Sequence, residues 1–186
     1  MNEQMLMNTA SSMVKKGKGI LAADESTPTI GKRLQQIGVD STFETRNEYR
    51  DMLFTAVGME NYISGVIMFD ETLRQSTTCK NKTPFVKLLS DKDVLPGIKV
   101  DTGAKDLAGA LGEKVTEGLD GLRDRLSEYY SLGARFAKWR AVITIDDGIP
   151  SEHCISANAH ALARYASLCQ ESNIVPIVEP EVLMDG

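Results

Sequence analysis

The sequence predicts an α/β protein built as a (β/α) barrel. Five apolar runs, near residues 18–24, 63–69, 95–101, 134–142 and 174–181, alternate with helical patterns. Buried-looking strands joined by helices imply a parallel sheet with helices outside it. Every run also ends in polar or charged residues, and a barrel places its chemistry at the carboxyl ends of many different strands. A doubly wound sheet would carry a glycine-rich phosphate loop after its first strand. That position holds Asp24-Glu25-Ser26-Thr27, with neither G-x-G-x-x-G nor a Walker lysine.

Taken in order, Asn2–Lys16 reads as an amphipathic helix with Leu6, Ala10, Met13 and Val14 on one face, ended by Gly17 and Gly19. The run Ile20–Ala23 leads into the polar cluster. Pro28 sits where proline opens a helix, whose face is Ile30, Leu34 and Ile37 and whose stop is Gly38. Ser41-Thr42-Phe43-Glu44 fits a capping box, and the helix it opens turns Tyr49, Met52, Leu53 and Ala56 inward. Ile63–Phe69 is the second run, ending at Asp70-Glu71-Thr72; a short helical piece near Pro84–Leu89 precedes the third, Leu95–Asp101.

Residues 102–117, holding Gly103, Gly109 and Gly112, read as a long loop of a functional or mobile kind. A helix over Leu119–Ser131 follows. Ala134–Val142 alternates as a strand, with Phe136, Lys138, Arg140 and Val142 on one face and Ala137, Trp139 and Ala141 on the other. Cations among apolar neighbours need anions, supplied by an internal ion pair or by a charged ligand. After a turn through Asp146-Asp147-Gly148, Ser151 caps a helix with an inner face of Ile155, Ala159, Leu162, Ala166 and Cys169, and Ile174–Glu181 is the fifth run.

The length suits one domain with its own core over residues 1–186, and 42% hydrophobic with 25% charged residues is a globular composition. A net charge of −5 without a basic stripe argues against a nucleic-acid partner. No apolar run is long enough to span a membrane, and Met1–Lys18 lacks the apolar centre of a signal peptide. Cys79, Cys154 and Cys169 show no metal-ligand spacing and read as reduced thiols of a cytoplasmic protein; His153 and His160 lack ligand partners.

The strand ends gather Asp24 and Glu25, Asp70 and Glu71, Lys99 and Asp101, Lys138 and Arg140, and Glu179 and Glu181. Cations and carboxylates around one barrel mouth suit an anionic substrate and proton transfer. A lysine among apolar walls and other cations is a candidate Schiff-base amine, which on the residues alone points to Lys138. Ser26 and Thr29 at a helix start suit a phosphate. Plainer readings stand beside these. Glu25, Asp70 and Glu71 also read as solvated carboxylates at helix starts, Ser26 and Thr27 as caps, and Asp101 as either. For Asp24, Lys99, Lys138 and Glu179, recurrence on four strands favours function.

Gly19–Thr27, Gly97-Ile98-Lys99-Val100-Asp101, Phe136-Ala137-Lys138-Trp139-Arg140 and Val175–Glu181 together resemble class I fructose-bisphosphate aldolase, in the order and near the spacings of that family. The resemblance implies an aldolase-type (β/α)8 TIM barrel of which about five βα units are present. It further implies reversible cleavage of fructose 1,6-bisphosphate to dihydroxyacetone phosphate and glyceraldehyde 3-phosphate through a lysine imine, with no cofactor and no metal. By motif, Asp24 assists proton transfer at the hydroxyl released in carbon–carbon cleavage, and Glu179 is the acid–base carboxylate of carbinolamine formation and dehydration. Lys138 holds charge beside the imine and Glu181 orients its neighbours. Lys99, Arg140 and Ser26 bind substrate phosphate, with Thr29 at a position often held by serine. The family's Schiff-base lysine lies on a sixth strand, outside these residues, so the resemblance overrides Lys138 as nucleophile. The expectation is therefore an N-terminal portion of a glycolytic, cytoplasmic lyase that acts on a phosphorylated sugar and is a homo-oligomer at full length. On its own the portion would be inactive. Alternatives are a short product that binds sugar phosphates or proteins without catalysis, and a transaldolase-type enzyme using Lys138 directly.

Overall fold

The computed structural model describes residues 1–186. Its elements, in chain order, are α1 (Glu3–Met13), β1 (Gly19–Ala23), α2 (Thr27–Gln36), α3 (Phe43–Phe54), β2 (Ile63–Met68), α4 (Asp70–Leu73), α5 (Phe85–Asp91), β3 (Leu95–Lys99), β4 (Gly103–Asp106), β5 (Lys114–Glu117), α6 (Leu122–Leu132), β6 (Phe136–Ile143), α7 (Glu152–Glu171) and β7 (Val175–Val182). β1, β2, β3, β6 and β7 form one sheet in that order, each pair parallel. β4 and β5 form a separate antiparallel hairpin.

The period of two along each strand sorts the sheet into two faces. One face (Ala23, Val66, Met68, Ile98, Ala137, Trp139 and Ala141) packs with Phe54, Phe85, Leu89, Leu122, Leu126, Leu162 and Tyr165 of the helices into the main core. Trp139 is fully buried, its ring centroid 5.5 Å from that of Tyr165, whose hydroxyl donates to the Ile177 carbonyl at 3.2 Å. The other face carries a smaller cluster, Ile67 and Phe136 with Met13 of α1, edged by Ile20, Leu95, Val175 and Ile177. Glycine makes room there: a Cβ at Gly65 would stand 2.9 Å from the Phe136 ring, and one at Gly97 would run into the ring itself. The ring fills the amino-terminal end of this inner face and leaves its carboxyl-terminal end to polar side chains.

Several sequence expectations are corrected. Residues 102–117 are not a loop throughout. The hairpin pairs Gly103 with Glu117 and Asp106 with Lys114, and it is tied to α7 by Glu113, which accepts from the Ser151 amide at 2.7 Å and hydroxyl at 2.6 Å. The capping box of α3 is Thr42 with Thr45, one residue along from Ser41 with Glu44. That helix buries Arg50 and Phe54 and exposes Met52, because a buried carboxylate, Glu25, waits for the arginine. α1 ends at Met13, so Val14 falls outside it and lies exposed. α6 begins at Leu122, after Gly121 in the left-handed conformation, and Leu119 stays outside it. α7 turns Cys154, Asn158, Ala161 and Tyr165 inward, together with Leu162 and Cys169; Ile155 is half exposed.

Candidate active site

Strand pleat and register bring most of the predicted residues to one place. Lys99 is the register partner of Lys138, Arg140 of Glu179 and Val142 of Glu181, on neighbouring parallel strands. All share the inner face at its carboxyl-terminal end, and Asp24 follows β1 directly onto the same side. They surround a cleft of about 270 Å³ lined by Asp24, Ser26, Thr29, Lys99, Lys138 and Arg140, with Glu25, Asp101, Gly103, Ala104 and Val142. Glu179 and Glu181 stand behind that lining and reach it through Lys138 and Arg140. Hollows of about 560 Å³ between α6 and α7 and about 540 Å³ at the opposite end of the sheet are larger, but neither receives the carboxyl ends of the strands.

Lys138 is the centre of the group. Its ammonium lies 3.4 Å from an Asp24 oxygen and 3.3 Å from a Glu179 oxygen. The apolar walls that would free an amine for imine formation are not what it meets: two carboxylates flank it, although Lys99 lies beside it on β3. That Glu179 oxygen is buried and accepts no hydrogen bond, so it is an acceptor that nothing but the lysine's charge satisfies.

The cations are held individually. Lys99 pairs with Asp101 at 2.8 Å, and Asp101 also accepts from the Gly103 amide at 3.1 Å, which ties the hairpin to the cleft. Arg140 pairs with Glu181 through Nε, leaving the rest of its fork to the cleft. Ser26 is the N-cap residue of α2 but caps nothing with its side chain; its hydroxyl hydrogen-bonds to that of Thr29 at 3.0 Å. Two hydroxyls at a helix start facing two cations are the elements of an oxyanion or phosphate site.

Glu25 is not the solvated carboxylate that was one reading of it. Its side chain is 9% exposed and takes Arg33, Arg50 at 2.7 Å and the Tyr49 hydroxyl at 3.4 Å. Burial presses the Arg50 guanidinium below its ordinary range against the pull of Glu25. Arg50 also donates to the Glu25 carbonyl at 3.1 Å, so one buried arginine grips the turn next to Asp24. Asp70 and Glu71 pair with Arg74 and Arg46 at the start of α4 and do not line the cleft. The sequence reading missed Gly103 and Ala104 of the cleft wall; the only signal was the glycine content of residues 102–117.

The family profile of fructose-bisphosphate aldolase class-I, described as glycolytic, matches residues 5–186. A probable fructose-bisphosphate aldolase class 1 of Xanthomonas campestris is 61% identical over 186 residues, covering 100% of this chain and 55% of its own length. A cytosolic fructose-bisphosphate aldolase of Arabidopsis thaliana is 56% identical over 181 residues, covering 97% and 50%. The structure of Plasmodium falciparum fructose-bisphosphate aldolase, solved in complex with TRAP and a small-molecule inhibitor, superposes with a TM-score of 0.95 at 51% identity, covering 98% of this chain and 53% of that one. The chain thus spans about half the length of the curated relatives it matches, and its sheet is part of a (β/α) barrel. By profile, identity and fold alike, the chain belongs to the class-I fructose-bisphosphate aldolase family.

Proposed function

We propose that these residues supply the acid–base machinery and one phosphate subsite of a class I fructose-bisphosphate aldolase, which cleaves fructose 1,6-bisphosphate reversibly to dihydroxyacetone phosphate and glyceraldehyde 3-phosphate. The observation that carries the reading is one lysine ion-paired to two carboxylates from two different strand ends, at 3.4 and 3.3 Å, in a cleft that also holds Lys99 and Arg140. In the cleavage direction an amine adds to the substrate carbonyl and water leaves, giving an imine. A hydroxyl then loses its proton, the carbon–carbon bond breaks, and its electron pair runs into the imine. Glu179, with one oxygen free of hydrogen bonds, serves the proton transfers of carbinolamine formation and dehydration. Asp24 takes part in removing the hydroxyl proton. Lys138 stays charged between them and offsets the developing negative charge. Lys99 and Arg140, with Ser26 and Thr29, hold a phosphate, and Glu181 sets the Arg140 fork. The proposed setting is cytoplasmic, supported by the cytosolic Arabidopsis relative, and the whole protein is proposed to be a homo-oligomer.

The test is to treat the protein with dihydroxyacetone phosphate and sodium borohydride, digest it and map the reduced adduct. We expect no adduct on any lysine of residues 1–186. In the catalytically competent protein Asp24→Asn and Glu179→Gln should each lower kcat by about 100-fold or more, the scale of losing a positioned acid or base. An adduct on Lys138 would overturn the assignment and favour a transaldolase-type site. Phosphate binding without turnover or adduct in any form of the protein would favour a non-catalytic sugar-phosphate binder.

A further inference from the structure

We propose a second anion-binding site at the opposite, amino-terminal end of the sheet, where Lys15, Lys18 and Arg135 surround a cavity that takes a small, multiply charged anion of the phosphate class. The cavity is about 540 Å³ and lies between the end of α1 and the starts of the inner-face strands. Its polar lining includes Ser12, Ser90 and those three cations, and its only acidic side chain is Asp93. In a chain of net charge −5 this excess of positive charge is a local anomaly.

Each cation is available. Arg135 is fixed before any ligand arrives: Nη1 donates to the carbonyls of Ala134 at 2.8 Å and Tyr130 at 3.1 Å, and the guanidinium stacks on the Tyr130 ring at 4.6 Å. No carboxylate meets it, so its Nε and Nη2 donors are preoriented and unspent. Lys18 uses one donor on the Glu60 carbonyl at 2.6 Å; the Glu60 carboxylate pairs with Lys92 at 3.3 Å and also feels the Lys18 charge, which leaves the remaining Lys18 donors to the cavity. Lys15 is exposed and unpaired at the rim. A planar fork held in place, two ammonium groups and the Ser90 hydroxyl around a concavity match a compact anion with several oxygens, while the Ser12 hydroxyl is spent on the Asn8 carbonyl at 2.9 Å; preorganisation spares the cost of ordering the arginine. Along β6, Arg135 and Arg140 stand about 17 Å apart at about 3.3 Å per residue, so this site and the cleft at the other mouth cannot share one small ligand.

The probe is inorganic pyrophosphate, titrated into isotopically labelled protein and followed by amide chemical shifts, with potassium chloride at matched ionic strength as control. We expect saturable shifts at Ser12, Ser90, Gly133 and Arg135, separate from those around Ser26 and Lys99. Lys15→Glu and Lys18→Gln should weaken the first set, the charge reversal by about tenfold, and Arg140→Ala should leave it unchanged. Lys15 is exposed, so its replacement leaves the fold intact. Shifts confined to the cleft, shifts reproduced by chloride, or an affinity unmoved by both lysine variants would each overturn the proposal.

Discussion

Lys138 is wedged between two carboxylates. Its side chain is 14% exposed, between Asp24 at 11% and Glu179 at 32%. Replacing it by methionine leaves two carboxylates facing each other. Breaking a fully buried pair costs about 3–5 kcal/mol; the partial exposure of Glu179 reduces the expected loss to about 1–3 kcal/mol, read as a lower urea midpoint at neutral pH. An unchanged midpoint would mean that the carboxylates find another partner. The three thiols separate just as sharply. Cys79 is exposed, and the Thr77 hydroxyl at 3.0 Å heads the contacts that hold its thiol below the ordinary range. Burial pushes the Cys154 thiol up, and the Cys169 thiol up to about 12. A thiol reagent at pH 8 should therefore modify one cysteine quickly in the native protein and all three after unfolding; rapid native reaction at Cys169 would contradict the packing of α7 on the sheet.

At the scale of elements, the contact of Phe136 on β6 with Gly97 on β3 sets how closely the two strands pack. Gly97→Ala forces a methyl into the ring and should destabilise by about 1–3 kcal/mol, the usual cost of overpacking. Combining it with Phe136→Leu should recover part of the loss, because the two changes share one space. Additive effects in thermal melts would mean that the ring does not fill that space. The same scale explains what was legible in advance. The parallel strands could be read because each is a continuous apolar run with a polar end. The β4–β5 hairpin could not: its strands are four residues each, Gly-Ala-Lys-Asp and Lys-Val-Thr-Glu, and of these only Thr116 is buried. A hairpin held by Glu113 on Ser151 and Asp101 on Gly103 leaves no periodicity to find. Grouping Asp24, Lys99, Lys138 and Glu179 followed from the strand ends, but the chemistry of Lys138 did not. On one strand it looks like a lysine among apolar residues, and only the neighbouring strands reveal that its partners are anions. Arg50 was hidden for a similar reason, since a charge inside a helix pattern reads as solvent-facing until its carboxylate is located.

For the whole molecule, the sheet begins at β1 and ends at β7, and neither outer edge is paired. Unpaired parallel edges template further strands. The 186-residue chain should therefore show concentration-dependent association in sedimentation velocity; a monodisperse monomer with one cooperative melt would refute this. Alkali should also loosen the fold. Cys169 keeps its proton in the folded state up to about 12, whereas the unfolded thiol loses it near 9. Between those values the folded state binds more protons, so stability falls as pH rises, by up to about 1.4 kcal/mol per unit for this group. Cys169→Ala should flatten that part of the stability profile, as measured by denaturant unfolding across pH.

Trp139 is the only tryptophan in the chain, and it follows Lys138 and precedes Arg140 on β6. Its indole lies in the dry layer behind the sheet while both cations point forward into the cleft. The protein therefore carries a built-in fluorophore one peptide bond from the residues that would hold an anion, shielded from quenchers in solution. A small displacement of the strand by ligand would reach the indole through its contact with Tyr165. Emission colour would follow unfolding, while intensity at fixed colour would follow occupancy, so a single optical signal distinguishes loss of structure from filling of the cleft.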